Sequence, residues 1–196
     1  QVLMVDIGGG STEIVWLDRM RPAAPGMIIS LPVGVGTLAE SFAAELRQGD
    51  FEGMRSAVRE ALTATTRNGF VPRALDEPAL QMLGTSGTVT TLAAVHLGLR
   101  RYDRRRVDGI TLSYQAIADV GARLKRLDNR GRAAHPCIGP ARADLVVAGC
   151  AILEAIHESW PVSRMRVADR GVREGILNGL MGLDLSVLAH RVPASV

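Results

Sequence analysis

A glycine-rich motif with a carboxylate at each end is the part of this sequence best suited to chemistry. The motif lies between two apolar runs and reads Asp6-Ile7-Gly8-Gly9-Gly10-Ser11-Thr12-Glu13. Two strands need only a short turn between them. Three successive glycines also let the backbone approach a ligand closely and turn its N–H groups towards an anion such as phosphate. Gly8, Gly9, Gly10 and Ser11 are therefore candidate phosphate ligands.

The two acidic residues of the motif suit a divalent cation. Mg²⁺ in proteins is usually bound by one or two carboxylates together with phosphate oxygens. Asp6 and Glu13 are therefore candidate Mg²⁺ ligands beside a bound phosphate. A glycine-rich hairpin whose Asp6 and Glu13 are simply solvated explains the same residues.

A second candidate anion site follows the apolar run 80–83. We interpret Gly84-Thr85-Ser86-Gly87-Thr88 as a turn between a strand and a buried helix at residues 89–97. The first N–H groups of a helix lack backbone partners and, together with the helix dipole, attract anions. Gly84, Thr85 and Ser86 are therefore candidate ligands, and a hydroxyl N-cap of a buried helix is the alternative.

Other charged residues are predicted at the ends of strands or helices. Asp169-Arg170-Gly171 follows a predicted strand, and Arg142 begins a predicted helix. Ligands of open α/β sheets gather outside strand ends, so these residues extend the candidate site. The dense charge run at residues 100–106 either attracts a polyanion or is a solvated loop.

Hydrophobic periodicity predicts the elements that position these residues. We predict strands at residues 2–7, 12–18, 26–32, 80–83 and 165–168, with a strand-like segment at 109–112. We predict helices at residues 38–47, from Asp50 to Asn68, at 89–97, after Ser113, at 141–159 and at 172–180. Turns or loops are expected at residues 21–25, 72–78 and 129–140, and a short tail from residue 183. This order predicts an α/β fold in which a mixed sheet carries helices on its faces.

Composition narrows the class of protein. The chain has 196 residues, 47% of them hydrophobic, which is ample for a core of ordinary size. It contains neither a run of about 18 apolar residues nor a signal-peptide pattern, so we expect a soluble cytoplasmic protein without a membrane partner. Cys137 and Cys150 fit neither a metal pair nor a disulfide framework. Aromatic residues make up only 4%, which argues against single-stranded nucleic acid as the ligand.

The motifs in this order resemble the exopolyphosphatase / guanosine pentaphosphate phosphohydrolase (Ppx/GppA) family. That family belongs to the actin, sugar-kinase and Hsp70 superfamily, whose domains are ribonuclease H-like. The resemblance covers the chain from Val2 to about Leu180. It rests on four motifs, residues 6–13, 84–94, 142–144 and 169–175.

The resemblance implies one half of a two-domain catalytic module. Residues 1–182 correspond to the second domain and residues 183–196 to a short tail, and the first domain, with the unidentified catalytic base, is expected outside this chain. By resemblance, residues 8–11 form a phosphate loop beside Mg²⁺ on Asp6 and Glu13, and Arg142 contacts phosphate from the opposite wall.

Two further segments are interpreted by the same resemblance. Residues 84–88 correspond to the nucleoside-side loop of the superfamily, and Arg173 with Glu174 is interpreted as an ion pair that holds the last helix. Many relatives carry an arginine where this chain has residues 34–38. An anion contact from that segment is therefore not expected.

The activity implied for the intact protein is release of terminal phosphate from inorganic polyphosphate or guanosine pentaphosphate (pppGpp), with guanosine tetraphosphate as a related ligand. These residues alone are expected to bind phosphate weakly and to hydrolyse little. The alternatives are an ATP-dependent phosphotransferase of the same fold and a non-enzymatic sensor of polyphosphate or alarmone. A homodimer is expected because relatives often dimerise.

Overall fold

The structure, a computed structural model, describes residues 2–17, 27–66 and 80–181. Within these ranges the strands are β1 (Val2–Ile7), β2 (Thr12–Leu17), β3 (Met27–Leu31), β4 (Gln81–Thr85), β5 (Thr111–Ser113) and β6 (Arg164–Ala168). The helices are α1 (Val35–Ser41), α2 (Ala43–Gln48), α3 (Glu52–Thr66), α4 (Ser86–His96), α5 (Arg104–Val107), α6 (Tyr114–Arg126), α7 (Asn129–Ala133), α8 (Leu145–Ser159) and α9 (Val172–Leu180). A 3₁₀ helix covers Pro140–Arg142.

The strands form one mixed sheet, as the sequence predicted, and their order in the sheet is β3-β2-β1-β4-β6-β5. β1, β2 and β3 form an antiparallel meander, whereas β1, β4 and β6 run parallel. Parallel neighbours end at the same edge of a sheet. The register therefore places Asp6 beside Thr85, and Thr85 beside Ala168.

The core lies between one face of the sheet and a layer of helices. Leu3, Val5 and Ile7 alternate along β1 and are almost completely buried. Helix α8 is buried on nearly every side and contacts α1, α3, α4 and α6. A helix that is apolar all round belongs in an interior, so α8 is the central helix of this layer.

The predicted turn at residues 84–88 is wrong. β4 continues through Gly84 to Thr85, and α4 begins directly at Ser86. A Cβ atom on Gly84 would lie 2.6 Å from the sulfur of Met165 and 3.0 Å from the methyl groups of Val89. The glycine therefore lets α4 pack closely on the sheet and does not form a turn.

Other boundaries differ less from the prediction. The helix predicted at 38–47 divides at Phe42 into α1 and α2. The predicted loop at 129–140 contains the short helix α7, whose N-cap Asp128 accepts the N–H of Gly131 at 2.7 Å. Asp50 accepts the N–H of Glu52 at the start of α3, as predicted.

Several predictions fall outside the described residues. They are the turn at 21–25, the end of a helix at Asn68, the connection at 72–78 and the tail at 183–196. Among the helices that the structure describes, none has the length and apolar character needed to span a bilayer.

Candidate functional site

The glycine loop, residues 8–11, is held in place by the start of α1. The N–H of Gly8 donates to the carbonyl of Ser11 at 2.9 Å and closes the loop on itself. The N–H groups of Val35 and Gly36 donate to the carbonyls of Gly8 and Gly9 at 2.9 and 2.8 Å. Because these bonds use the carbonyl groups, the shape of the loop is fixed without a ligand.

Gly34 permits this close approach. A Cβ atom at position 34 would lie 2.4 Å from the carbonyl carbon of Gly9 and 2.5 Å from the nitrogen of Gly10. Such contacts are far inside van der Waals distance. The segment at residues 34–36, from which no anion contact was expected, therefore acts as the support of the glycine loop.

Gly9 and Gly10 have no comparable packing reason to be glycine. A Cβ atom at either position would meet no atom of the described residues within 4 Å. Neither has the positive φ angle that favours glycine. Both are exposed at the tip of the loop, so the missing side chains leave the backbone open to a ligand.

The carboxylates of Asp6 and Glu13 lie on paired positions of β1 and β2. Burial, and secondarily the charge of Glu13, raises the pKa of Asp6. One oxygen of Glu13 accepts the hydroxyl groups of Ser11 at 2.7 Å and Ser30 at 3.1 Å. Among the described residues no Lys, Arg or His forms an ion pair with either carboxylate.

This pair of carboxylates fits a magnesium ion better than a transition metal. Two like charges on paired positions, with an Asp6 pKa that is already raised, would be relieved by a cation. Within the described residues no cluster of three or more His, Cys, Asp or Glu side chains forms a metal site. Mg²⁺ needs only one or two carboxylates, because water and substrate oxygens complete its coordination.

Two cavities meet beside the glycine loop. The loop cavity, of about 280 Å³, is lined by Gly8, Gly9, the first turns of α4 and the start of α8. The strand-end cavity, of about 640 Å³, is lined by Asp6, Thr85 and residues around the end of β6. Ser86, Gly87 and Arg142 line both cavities and form the boundary between them.

Ser86 occupies a strained position on this boundary. Its φ angle is +85°, in the left-handed region that residues other than glycine rarely adopt. Its hydroxyl oxygen is buried and has no hydrogen-bond partner within the described part of the chain. Such a backbone conformation costs about 1–3 kcal/mol and persists where the surrounding structure imposes it. Ser86 therefore combines a strained backbone with a buried hydroxyl that no described residue satisfies.

A network of charged side chains forms the far wall of the strand-end cavity. Arg104 lies 2.9 Å from a carboxylate oxygen of Glu174 and 3.5 Å from one of Asp169, which also accepts the hydroxyl of Tyr102. The hydrogen bond from Arg104 lowers the pKa of Glu174 to about 2. Burial and the Asp169 contact raise the pKa of Tyr102 to about 12. Arg104 thus holds the carboxylates of both Asp169 and Glu174, and Tyr102 holds that of Asp169.

The predicted ion pair between Arg173 and Glu174 is replaced by this network. Glu174 bonds to Arg104 and accepts the N–H of Gly171 at 2.8 Å, which caps α9. Arg173 is exposed and lines the strand-end cavity. The position of Arg173 adds a positive charge to the cavity beside that of Arg142.

Comparison with known proteins identifies the family. The model of the Ppx/GppA phosphatase family matches residues 1–183 of this chain. The chain belongs to the Ppx/GppA phosphatase family.

Named relatives and solved structures agree with this membership. The chain is similar to exopolyphosphatase 2 of Mycobacterium tuberculosis, at 29% identity over 92% of this chain and 56% of the relative. It is also similar to a guanosine-5′-triphosphate,3′-diphosphate pyrophosphatase of Aeromonas hydrophila, at 31% identity over 92% of this chain and 34% of the relative. The crystal structure of an Aquifex aeolicus Ppx/GppA phosphatase matches with a TM-score of 0.71 and 28% identity, over 92% of this chain and 57% of that one. The likeness confirms the predicted fold of the actin, sugar-kinase and Hsp70 type.

The chain spans 56% of the mycobacterial relative and 34% of the Aeromonas relative. The family membership therefore applies to the stretch of sequence that this chain shares with its relatives.

The structure brings most of the predicted Ppx/GppA site residues together. Gly8 and Gly9 line the loop cavity, Asp6 and Thr85 line the strand-end cavity, and Ser86 and Arg142 line both. The hydroxyl of Thr85 donates to the carbonyl of Arg170 at 3.0 Å and ties the ends of β4 and β6 together.

The remaining predicted residues lie outside these two cavities. Gly10 is at the exposed tip of the loop. The hydroxyl of Ser11 donates to the carboxylate of Glu13. Glu13 lies on β2, at the position paired with Asp6 of β1. Gly84 is buried under α4. Its packing explains why it is glycine, so Gly84 is not placed to bind a ligand in either cavity.

Sequence reasoning missed Tyr102 and Arg104 as cavity residues. They lie in the charge run 100–106, before the edge strand β5, and contact residues more than 60 positions later in the chain. Only the density of charge marked this segment. The contacts depend on the antiparallel pairing of β5 with β6, which no local pattern predicted.

Proposed function

We propose that the protein containing this chain hydrolyses the terminal phosphoanhydride bond of inorganic polyphosphate or guanosine pentaphosphate, and that these residues form one wall of its active site. Similarity to an exopolyphosphatase and to a guanosine pentaphosphate pyrophosphatase supports hydrolysis over phosphotransfer. Family membership over residues 1–183 places the chain among phosphatases.

The observation that carries this proposal is the open glycine loop. Gly9 and Gly10 are glycines that neither packing nor backbone conformation requires within the described residues. Gly9 lines a cavity together with Arg142 and with Ser86, whose hydroxyl has no partner among the described residues. Backbone N–H groups, a hydroxyl and a guanidinium are the groups that bind phosphate oxygens. The loop therefore binds the terminal phosphate.

In the reaction, water attacks the terminal phosphorus in line with the bridging oxygen. The bond from phosphorus to the bridging oxygen breaks, its electron pair leaves with the shortened chain, and orthophosphate is released. Phosphoryl transfer requires mainly positioning and neutralisation of the spreading negative charge. The glycine loop and Ser86 hold the phosphate oxygens, and Arg142 neutralises charge at the boundary of the two cavities.

Asp6, with Glu13 behind it, is proposed to hold Mg²⁺ beside the phosphate. When bound, the ion would neutralise negative charge that develops on the phosphate oxygens. Ser11 and Ser30 orient the Glu13 carboxylate through their hydroxyl bonds. The residue that takes the proton of the attacking water is expected on the first domain of the family module.

Phosphate release by the full-length protein tests the proposal. We expect Mg²⁺-dependent release of phosphate from tripolyphosphate or pppGpp, and a loss of at least about a hundredfold in Asp6→Ala, because a metal ligand is removed. Asp119→Ala is a matched control, since Asp119 is an exposed carboxylate on α6 that bonds only Gln115 among the described residues. Full activity of Asp6→Ala would contradict the proposal.

Thermal stability tests the metal site without an activity assay. Without Mg²⁺, Asp6→Asn is expected to stabilise the protein by about 0.2–1 kcal/mol, because like charges on paired strand positions destabilise a sheet. Mg²⁺ is expected to raise the melting temperature of the wild type but not of Asp6→Asn. Equal shifts in both proteins would place the metal elsewhere.

A further inference from the structure

Arg132 is a buried arginine that joins three segments of the chain. It lies on α7 and is 2% exposed. Its guanidinium donates to the carbonyls of Leu124, at 3.5 Å, and Leu127, where α6 ends. The same group donates to the carbonyl of Ala143 at 2.7 Å and lies 3.3 Å from a carboxylate oxygen of Asp144. Arg132 therefore links α6 and α7 to the turn that precedes α8.

That turn, residues 139–144, carries Arg142. Arg142 is exposed and lines both the loop cavity and the strand-end cavity. The two backbone bonds inside the turn, from the N–H groups of Arg142 and Ala143, are 3.2 and 3.4 Å long. Backbone N–H···O bonds are commonly about 2.9–3.0 Å. The bond from Arg132 to the turn is therefore shorter than the bonds that the turn makes within itself.

The turn also has little support from packing. Within residues 139–144, all of which the structure describes, only Ala143 is buried. On the side away from the candidate site, Pro140 and Ala141 line a rear cavity of about 1000 Å³. With cavities on both sides, the position of the turn depends on its hydrogen bonds, and the carbonyl that Arg132 bonds belongs to the buried residue.

The charge of Arg132 is compensated where it lies. The carboxylate of Asp144 also accepts the side-chain N–H of Asn129 at 2.7 Å, which fixes its orientation. Among the described residues Asp144 is the sole carboxylate at ion-pair distance from Arg132. The carbonyls at the end of α6 add the negative end of a helix dipole. Moving the turn would leave a buried guanidinium with unsatisfied donors, which is costly.

We propose that Arg132 is a positioning residue that holds Arg142 at the boundary of the two cavities. This inference rests on the proposed function, in which Arg142 neutralises charge on the terminal phosphate. Arg132 itself lines neither of the two cavities, so it acts on the reaction only through Arg142. A misplacement of about 1 Å in a group that acts on the substrate can cost about a hundredfold in rate.

A double-mutant cycle on the full-length protein tests this inference. Arg132→Lys keeps the positive charge but lacks the planar fork that reaches several acceptors. With tripolyphosphate, we expect Arg132→Lys to lower kcat/KM about tenfold and Arg142→Gln to lower it about a hundredfold. The double variant is expected to match Arg142→Gln within about twofold, because Arg132 has nothing left to position. A further tenfold loss in the double variant would overturn the inference.

Lys125→Gln is a matched control for loss of stability. Lys125 on α6 lies 2.6 Å from Glu154 on α8, and both side chains are mostly buried. We expect Lys125→Gln to lower the melting temperature and to leave kcat/KM within about twofold of the wild type, since the pair does not contact the turn. If Lys125→Gln lost as much activity as Arg132→Lys, activity would follow general stability, and the inference would be wrong.

Asp144→Asn replaces Arg132→Lys in the cycle if the lysine variant does not fold. It removes the charge that faces Arg132 and keeps an oxygen for Asn129. We expect a loss of about threefold in kcat/KM that disappears in the Arg142→Gln background. A loss that persists in that background would contradict the inference.

Amide hydrogen exchange separates this inference from the proposed function. In the ligand-free protein, Arg132→Lys is expected to speed exchange at the amides of Arg142 and Ala143 at least about tenfold, and Lys125→Gln is not. Unchanged exchange at these amides would overturn the inference whatever the activity. If the wild-type protein neither hydrolyses nor binds tripolyphosphate, the proposed function fails, and the exchange rates alone decide whether Arg132 holds the turn.

Discussion

At the scale of single residues, Gly9, Gly34 and Ser86 serve three distinct needs of the site. Gly34 is glycine because the loop backbone lies against it, whereas Gly9 has open space where a side chain would be. Ser86 has a backbone conformation that suits glycine, yet it carries a buried hydroxyl without a partner among the described residues. Packing thus explains Gly34, whereas ligand binding is the proposed reason for Gly9 and Ser86.

Alanine at the two glycines should separate folding from binding. Gly34→Ala is expected to destabilise the protein by about 1–3 kcal/mol, because the new methyl group overlaps the glycine loop. Gly9→Ala is expected to leave the stability unchanged or raised by up to about 1 kcal/mol, because its unfolded chain is less flexible. Chemical denaturation measures both. Equal destabilisation by the two variants would show that packing, and not a ligand, requires Gly9.

Two substitutions of Ser86 should separate strain from hydrogen bonding. Ser86→Gly is expected to stabilise the protein by about 1 kcal/mol, because glycine adopts a positive φ without strain. Ser86→Ala keeps the strain and lacks the hydroxyl. Because Ser86→Gly and Ser86→Ala each lack the hydroxyl, both variants are expected to bind tripolyphosphate about ten- to a hundredfold more weakly. A hydrogen bond to a charged group contributes about 1.5–3 kcal/mol. Calorimetric titration tests this, and wild-type affinity in Ser86→Ala would exclude the hydroxyl from binding.

At the scale of elements, the site is assembled where parallel strands end. β1, β4 and β6 place Asp6, Thr85 and Ala168 side by side. Helix α4 starts directly after β4, and α9 starts after a short connection from β6. Helix α9 exposes Ile176 and Leu177 by more than half. The first turn of α9 is held in place by the contacts of Glu174 with Arg104 and with the N–H of Gly171.

Acid is therefore expected to loosen the start of α9. The pKa of Glu174 falls from 4.5 to about 2 in the folded protein, chiefly because Arg104 bonds its charged form. A depressed carboxylate pKa contributes stability that is complete above the unfolded value and is lost as pH falls towards the folded value. The free energy of unfolding should thus decrease between pH 4.5 and about 2.

Glu174→Gln isolates this contribution. Glutamine does not titrate, so the difference in free energy of unfolding between wild type and variant should shrink as pH falls through that window. Denaturation at a series of pH values measures the difference. A difference that stays constant with pH would mean that the Arg104 contact does not depend on the charge of Glu174.

At the scale of the whole molecule, local sequence patterns predicted the strands of the sheet better than they predicted the residues that line the two cavities. The first three strands and the parallel strands were predicted because apolar runs and glycine turns are local signals. Gly84 was misinterpreted because a glycine required for helix packing has the same sequence signature as a glycine in a turn. The positions of Tyr102 and Arg104 depend on the pairing of β5 with β6, which is set by contacts distant in sequence.

The predicted ligand residues also divide into those that a local sequence pattern marks and those that tertiary packing places. The glycine loop and Ser86 were predicted from residue types and spacing, because a backbone phosphate site requires small residues close together in sequence. Arg142 was predicted from its place at the start of a helix and from the family resemblance. Its position at the loop cavity depends on tertiary packing, since α8 is buried against α4 and the turn before α8 lines that cavity.

An amide NMR titration of the full-length protein with tripolyphosphate and Mg²⁺ is the most direct test that the glycine loop binds phosphate. If the loop binds phosphate, the largest shifts should occur at the amides of residues 8–11 and 86–88, which line or adjoin the loop cavity, and Ser86→Ala should reduce them. Shifts confined to the other large cavity, lined by Arg126, Asn129 and Arg130, would contradict phosphate binding at the glycine loop.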